Sequence, residues 1–393
     1  MHHSSFFTAV FLIILPLPLA MAESPSAVPV DGQPLDGRLV AADAQWQLTF
    51  TVDGKPRTLP AAELVRWGSF VEPLRGPIVQ LADGGLLVAD VLRADKERLA
   101  ADSLLFGQID FPLESLAGVV FQLPVGRRQR DALLDRVARA TGDSDRILLH
   151  NGDEITGLIA RLANDTVELD TKVGPIEIET ARIAAMIFNP ELKQTARPKG
   201  LRAWTGLSDG SRLLATRLTA DAKALRITTA GQTWATSPEE LTALQPLGGR
   251  VIYLSDLRPA AYHHVPYLDL KWPNPGIDRN ITGGRLWCDG RLYLKGLGLH
   301  SAARLTYALD GTYNRFDTEL GIDDSTEGRG SVRFRIFVDG KQKYTSKTLP
   351  GGEPPVHATV DLTEAKRLDL IVDFADRADE LDRADWLDAR LVK

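Results

Sequence analysis

The stretch KGLGLHSAARLTYALDGTYNRFDTELGIDD, residues 295–324, determines how the C-terminal third of the chain folds. Two of its segments, residues 305–309 and 315–322, have the length and apolar content of short strands, and an Asp-Gly turn joins them. A related stretch, DRADWLDARL, follows at residues 382–391. Together these segments predict antiparallel β-structure, and similar signals continue along the sequence on both sides.

The composition is that of a soluble globular protein with a moderate excess of acidic residues. Of its 393 residues, 44% are hydrophobic and 25% are charged, and the formal net charge is −6. This length predicts roughly two to four domains. The longest basic cluster is residues 126–130, which is too short for the basic stripe of a nucleic-acid-binding surface. We therefore expect no nucleic acid partner.

The N-terminus has the pattern of an export signal. An apolar run at residues 6–20 is followed by the small-x-small cleavage site Ala-Met-Ala, which predicts a signal peptide over residues 1–22. The run is shorter than the roughly 20 residues that cross a bilayer. The segment before it lacks Lys and Arg, which leaves a membrane-anchored N-terminus as the alternative. We expect a secreted, periplasmic or cell-surface protein with no membrane span after removal of the signal.

A turn-and-strand pattern recurs four times before residue 248. Each copy opens with an Asp-Gly or Asn-Gly turn, and an apolar residue closes it 31 or 32 positions after the glycine. The opening glycines are Gly32, Gly84, Gly152 and Gly210, and the closing residues are Leu64, Leu116, Ile183 and Leu241. Alternating apolar residues between them indicate half-buried strands. The pattern is similar to that of small Sm-like or SH3-like barrels, and we expect a scaffold that contacts other exported proteins.

These signals predict a mostly β protein with one connecting helix. Two repeat units are expected at residues 29–121, the helix at 124–142, a third unit at 147–190 and a fourth at 203–247. From residue 251 the sequence contains more aromatic residues and eight short strands separated by glycine-containing turns. Residues 251–393 therefore predict an antiparallel β-sandwich of the jelly-roll type. The chain has a single cysteine, Cys288, so no internal disulfide supports these domains.

Several motifs of the C-terminal segment resemble those of the NPCBM family of carbohydrate-binding modules. In chain order they are YLSDL at 253–257, DRNITGG at 278–284, YLKGLGLHS at 293–301, GIDD at 321–324, GSVRFRIFVDGK at 330–341 and DRADWLDARL at 382–391. The resemblance covers a little over a third of the chain. It implies a jelly-roll sandwich that binds a glycan, and related modules often hold a structural calcium ion.

A sugar site needs a planar apolar surface for the ring and charged or amide groups that hydrogen-bond its hydroxyls. The candidate carbohydrate-binding residues are Trp272, His300, Arg329, Arg335 and Trp386. Two of them have structural alternatives. Trp386 fits the core of the sandwich as well as a sugar platform, and His300 fits a buried histidine that a neighbouring carboxylate satisfies.

Two groups of acidic residues lie in the same segment. Asp323, Asp324, Asp382 and Asp385 are candidate calcium ligands, because Ca²⁺ takes six to eight oxygen ligands. Their spacing does not follow the EF-hand pattern, so the ligand set is open.

No catalytic motif accompanies these residues. The sequence contains no GxSxG, HExxH or P-loop, and a glycosidase would need two carboxylates across a cleft, which no sequence spacing reveals. We expect a non-catalytic exported protein whose C-terminal module binds a glycan. The alternatives are a structural or adhesion protein that binds other proteins, and a cryptic glycoside hydrolase.

Overall fold

The computed structural model describes residues 25–195, 198–229, 232–266, 274–376 and 378–393. The predicted signal peptide, residues 1–22, and Trp272 lie outside the described residues. Most of the regular structure in the described chain is antiparallel β-sheet, which confirms the mostly β fold class. None of its helices is long and apolar enough to cross a membrane.

Four successive units have a similar order of elements, with five strands in the third unit and six in each of the others. The first contains β1 (Ser26–Pro29), β2 (Leu35–Asp36), β3 (Arg38–Ala42), β4 (Gln47–Val52), β5 (Lys55–Pro60) and β6 (Leu64–Gly68). The second contains β7 (Ile78–Leu81), β8 (Leu86–Val88), β9 (Asp90–Ala94), β10 (Arg98–Ser103), β11 (Gly107–Pro112) and β12 (Leu116–Val120). The third contains β13 (Asp145–Leu149), β14 (Glu154–Ala163), β15 (Thr166–Thr171), β16 (Gly174–Glu179) and β17 (Ile183–Ile187). The fourth contains β18 (Arg202–Leu207), β19 (Arg212–Ala215), β20 (Arg217–Ala220), β21 (Leu225–Thr228), β22 (Thr233–Thr236) and β23 (Leu241–Leu247).

The repeated sequence signals mark the same structural positions in every unit. The four opening glycines all have φ between +88° and +96°, a conformation that glycine adopts without steric cost. In three of the turns the preceding Asp or Asn accepts the backbone N–H two residues on, as in Asp83 to Gly85 at 2.9 Å. Each apolar closing residue is buried and begins the last strand of its unit, directly after a short 3-10 helix.

The units pair through the same two edges. The first unit joins the fourth through β6 with β23 and through β3 with β20. The second joins the third through β12 with β17 and through β9 with β14. The two pairs meet where β8 lies beside β19. Within the described residues the sheets continue from unit to unit and no unit closes into a separate barrel. The resemblance to Sm-like or SH3-like barrels is therefore not confirmed.

One helix, α1 (Arg127–Ala138), lies between the second and third units, inside the range expected for the connecting helix. Its Leu134 and Val137 are buried against the strands that join these units. Gln80 fixes the helix further, because its Nε2 donates to the Leu134 carbonyl at 2.9 Å.

The C-terminal segment forms a sandwich of two six-stranded antiparallel sheets. One sheet contains β24 (Val251–Tyr253), β26 (Gly276–Ile277), β29 (Gly296–His300), β31 (Arg315–Ile322), β35 (Val356–Asp361) and β37 (Arg383–Val392). The other contains β25 (Ala261–His264), β30 (Ala303–Ala308), β32 (Ser331–Val338), β33 (Lys341–Thr345), β34 (Leu349–Pro350) and β36 (Arg367–Phe374). A small hairpin of β27 (Leu286–Cys288) and β28 (Arg291–Tyr293) covers part of the first sheet.

The repeat units dock firmly on the sandwich. Arg66, in the last strand of the first unit, makes 2.6 Å ion pairs with Asp388 and Glu319 of the sandwich. Burial lowers the pKa of Arg66, but the two carboxylates outweigh this effect and raise its pKa overall. An apolar cluster that includes Val65 and Tyr253 surrounds the pair. The outer face of the first sheet is thus an interface rather than a free surface.

Candidate carbohydrate-binding site

Several loops meet at the end of the sandwich where β25 and β29 stop and β37 begins. His300 is fully buried there, and its ring lies edge-on to that of His264 with 5.9 Å between centroids. Burial lowers the pKa of His300 to about 4 and also lowers that of His264, so both rings are neutral at pH 7. The ring of His300 lies beneath the surface, so this position fits the structural alternative better than direct contact with a sugar.

Asp382 connects this histidine pair to the opposite sheet. It is fully buried and accepts a 3.0 Å hydrogen bond from the Ser331 backbone and another from the Ser301 hydroxyl. Burial raises its pKa to about 6. Asp382 is therefore a structural link between strand ends, and its position was not expected from the acid cluster in the sequence.

Arg329 is the most accessible of the candidate residues at this end. Its side chain is 56% exposed, and its Nε donates a long 3.3 Å bond to the Thr326 carbonyl. Two glycines allow the neighbouring loops to approach. A Cβ on Gly330 would lie 2.3 Å from the Leu381 carbonyl oxygen, and one on Gly351 would lie 2.2 Å from that of Arg329. The arginine is consequently presented by three closely packed loops.

Arg335 lies elsewhere, in the middle of β32. Its Nη2 donates to Asp373 Oδ1 on the adjacent strand at 2.8 Å, and its Nε lies 2.5 Å from Asp373 Oδ2 in the same ion pair. This ion pair holds the Arg335 guanidinium against the sheet. Arg335 and Arg329 are therefore held in different parts of the sandwich and do not form one ligand site.

Trp386 requires a correction. Its side chain has 0% exposure and packs against Phe316 and Phe334, with ring centroids 6.4 and 5.0 Å away. A ring enclosed on all sides has no face available for a sugar. Trp386 is a core residue, and the prediction of a sugar platform at this position was wrong. The remaining predicted platform, Trp272, falls between the described residues 266 and 274.

The candidate calcium ligands do not form one group. Asp323 accepts N–H groups from the Asn280 side chain, the Trp287 backbone and the Ser325 backbone at 2.9–3.2 Å. Asp324 accepts two more backbone N–H groups. These oxygens already have donors, and Asp382 belongs to the separate cluster described above.

Asp385 is the exception among the four acids. It is fully buried beside Asp323, and its carboxyl group forms a hydrogen bond with the Asp323 side chain. Burial, and then the charge of Asp323, raise its pKa well above the ordinary value. In the described part of the chain no three acids, histidines or cysteines are arranged to hold a metal ion. The four-acid ligand set is therefore corrected, while calcium binding itself stays a prediction.

Comparison with known proteins identifies the C-terminal domain. Residues 250–392 match the NPCBM/NEW2 domain model. A segment of 110 residues is 33% identical to the "Putative endo-alpha-N-acetylgalactosaminidase" of Renibacterium salmoninarum, covering 28% of this chain and 7% of that protein. A segment of 116 residues is 27% identical to the alpha-1,3-galactosidase B of Akkermansia muciniphila, covering 28% of this chain and 14% of that protein. The chain thus spans a small fraction of the length of either relative.

Solved structures give corresponding matches. The CBM51-2 and INT domains of Clostridium perfringens ZmpB in complex with GlcNAc share 26% identity at a TM-score of 0.33, covering 43% of this chain and 36% of that one. The CBM51 of Clostridium perfringens GH95 in complex with methyl-galactose shares 23% identity at a TM-score of 0.33, covering 36% and 99%. The family match thus assigns residues 250–392 to the NPCBM/NEW2 domain, which is joined here to four paired β-units.

Proposed function

We propose that the chain is an exported, non-catalytic protein whose NPCBM domain recognises a glycan and whose β-units hold that domain in a fixed position. The observation that carries this proposal is the match of residues 250–392 to a carbohydrate-binding domain. The names of the two relatives describe enzymes that act on galactose-type glycans, which favours a terminal galactose or N-acetylgalactosamine as the ligand.

The glycan binds at the end of the sandwich where the Arg329 loop is exposed. Loops 326–330 and 350–352 contact each other there, and their glycines allow a close approach. Val265, which donates to the Ala302 carbonyl at 3.0 Å, leads into the segment that contains Trp272. In this proposal Trp272 supplies the apolar surface, Arg329 donates to hydroxyls, and the buried His300 supports the loop beneath them.

The β-units act as a scaffold for this domain and as a docking surface for other exported proteins. The buried ion pairs of Arg66 support the first role, because they fix the sandwich to the first unit. An open groove of about 1170 Å³ between the second and third units supports the second. Its rim carries Val173, which is 95% exposed, together with the basic side chains of Lys96 and Lys172.

The test is a glycan-array screen of the full chain without residues 1–22, with and without EDTA. We expect binding to one defined sugar class and a loss of at least about tenfold in the Trp272→Ala and Arg329→Ala variants. Arg333→Ala is the matched control, because Arg333 is an exposed arginine on the outer face of β32. Assays for released sugar on every bound glycan test the hydrolase alternative.

Two outcomes would change the proposal, and the EDTA comparison tests the calcium prediction separately. Absence of glycan binding by a folded chain favours the structural or adhesion alternative. Release of sugar shows that the chain is an enzyme. Loss of binding in EDTA that returns with Ca²⁺ supports the calcium prediction, whereas identical binding in both buffers contradicts a calcium-dependent site.

A further inference from the structure

A second cleft lies between the β-units and the NPCBM domain, on the flank of α1. It has a volume of about 410 Å³, within the range of about 300–1,000 Å³ that is usual for ligand pockets. Its walls come from α1, the second unit, the fourth unit and the sandwich. The cleft therefore exists only when the two halves of the chain are docked.

Arg212 is the central residue of this cleft. Its guanidinium carbon lies 5.6 Å from the ring centroid of Trp204, so the cation rests on an aromatic face. Among the described residues its side chain has no hydrogen bond or ion pair, and its Nε is fully buried without an acceptor. Burial, and then the charge of Arg285, lower the pKa of Arg212 to about 9, so it remains a cation at pH 7.

The neighbouring carboxylates Asp131 and Asp135 pair with other arginines and do not neutralise Arg212. Arg285 pairs with Asp131 at 2.9 Å through Nε, while its Nη2 is buried without a partner. Arg279 pairs with Asp135 on α1. In total the cleft is lined by five cationic and four anionic side chains, so one positive charge is in excess. Uncompensated buried cations are costly, and a bound anion would remove that cost.

The surroundings also suit the rest of a sugar. Trp204 offers an apolar ring, and carboxylates alternate with guanidinium groups around the cleft, so hydroxyls would find both acceptors and donors. A guanidinium binds a carboxylate or a sulfate through two parallel hydrogen bonds. We propose that this cleft binds an acidic sugar unit, with Arg212 and Arg285 holding its carboxylate or sulfate and Trp204 contacting its ring.

Titration calorimetry of the full chain without residues 1–22 tests this proposal. The probes are sodium glucuronate, glucose 6-sulfate, glucose, sodium acetate and sodium sulfate. We expect one or both acidic sugars to bind at least about tenfold more tightly than glucose and than the corresponding simple anion. Arg212→Gln should weaken that binding by at least about tenfold, because a charged hydrogen-bond pair is lost. The two acidic probes distinguish a carboxylate ligand from a sulfate ligand.

Two further variants keep the test decisive. Arg217→Gln is the matched control, because Arg217 is exposed on the adjacent strand and should bind as the parent does. Ala138→Phe narrows the cleft without changing any charge and should also weaken binding, which covers the case in which Arg212→Gln fails to fold. Arg212→Gln should retain glycan-array binding, and Trp272→Ala should retain acidic-sugar binding, so failure at one site is distinguishable from failure at the other.

The proposal is overturned if the acidic sugars bind no more tightly than glucose, or if Arg212→Gln binds them as the parent does. It is also overturned if acetate or sulfate binds as tightly as the acidic sugars, since the cleft would then hold an adventitious ion only.

Discussion

Replacement of Arg66 by methionine should separate the stability of the NPCBM domain from that of the β-units. The side chains of Arg66, Asp388 and Glu319 are 11%, 1% and 17% exposed, so both ion pairs are largely shielded from water. Methionine keeps the apolar stem of the side chain and removes both ion pairs. Asp388 and Glu319 would then remain buried at the junction without their cation.

The expected loss of stability depends on the contacts that Asp388 and Glu319 keep after Arg66 is replaced. Removing one partner of a buried ion pair costs about 3–5 kcal/mol in free energy of unfolding. Here Asp388 keeps a 2.9 Å bond from Gln245, and Glu319 keeps a 2.7 Å bond from the Tyr293 hydroxyl. We therefore expect the lower end, about 3 kcal/mol, for Arg66→Met. The triple variant with Asp388→Asn and Glu319→Gln should recover much of that loss because no buried charge is left.

Urea unfolding monitored by tryptophan fluorescence measures this effect. Both the β-units and the sandwich contain tryptophans, so a single transition in the parent should split into two in Arg66→Met. Arg161→Met is the control, because the Arg161–Glu168 pair is 67% and 40% exposed and should contribute about 0–1 kcal/mol. A loss below about 1 kcal/mol for Arg66→Met, or a triple variant no more stable than the single one, would refute the reasoning.

Three further predictions concern pH and loop packing. Burial raises the pKa of Glu319, but Arg66 outweighs this effect and holds the pKa below 4.5. The stabilisation by the Glu319 carboxylate is therefore present above pH 4.5 and disappears as the pH falls. Glu319→Gln should flatten the acid limb of a plot of urea stability against pH. The pKa of His300 is lowered from 6.5 to about 4, so the unfolded chain takes up the proton at a higher pH than the folded chain. The free energy of unfolding should therefore fall by about 1–3 kcal/mol between pH 6.5 and pH 4. His300→Gln should reduce this fall in the same assay. Gly330→Ala should lower the melting temperature and weaken glycan binding, because φ is +83° and the new Cβ meets the Leu381 carbonyl. Gly340→Ala is the control, because φ is +75° but its Cβ would point into open space. It should lower the free energy of unfolding by about 1 kcal/mol and leave binding unchanged.

Local signals in the sequence identified the repeats, but not their association. An Asp-Gly or Asn-Gly pair favours a turn, and the structure has turns at the four opening glycines and buried strand starts at the four closing residues. The pairing of the first unit with the fourth depends on contacts such as Ala42 with Ala220, which are far apart in sequence. Nothing local in either strand specifies that partner. The Arg212 cleft escaped prediction for the same reason, because four separate segments line it.

The aspartates and the tryptophan of β37 show a second limit of prediction from the sequence. Alternation predicts that every second side chain of a strand faces the core. In β37 the core residues are Ala384 and Trp386 but then Ala389 and Leu391, because a bulge at Asp388, with φ +46°, shifts the register. The other face of the strand is covered by the hairpin and the β-units, so almost the whole strand is buried. Burial on both faces is tertiary information that alternation alone does not contain.

That burial leads to a prediction about the isolated domain, residues 251–393. Removing the β-units would expose Val251, Tyr253 and Val392 to water and would leave Asp388 without Arg66. The fragment should therefore unfold more easily than the same domain in the full chain, by at least the 3 kcal/mol or so expected for Arg66→Met. Urea midpoints from tryptophan fluorescence, compared between fragment and full chain, measure the difference. Equal midpoints would mean that the junction contributes no stability, and the NPCBM domain would then be an independent module on a passive spacer.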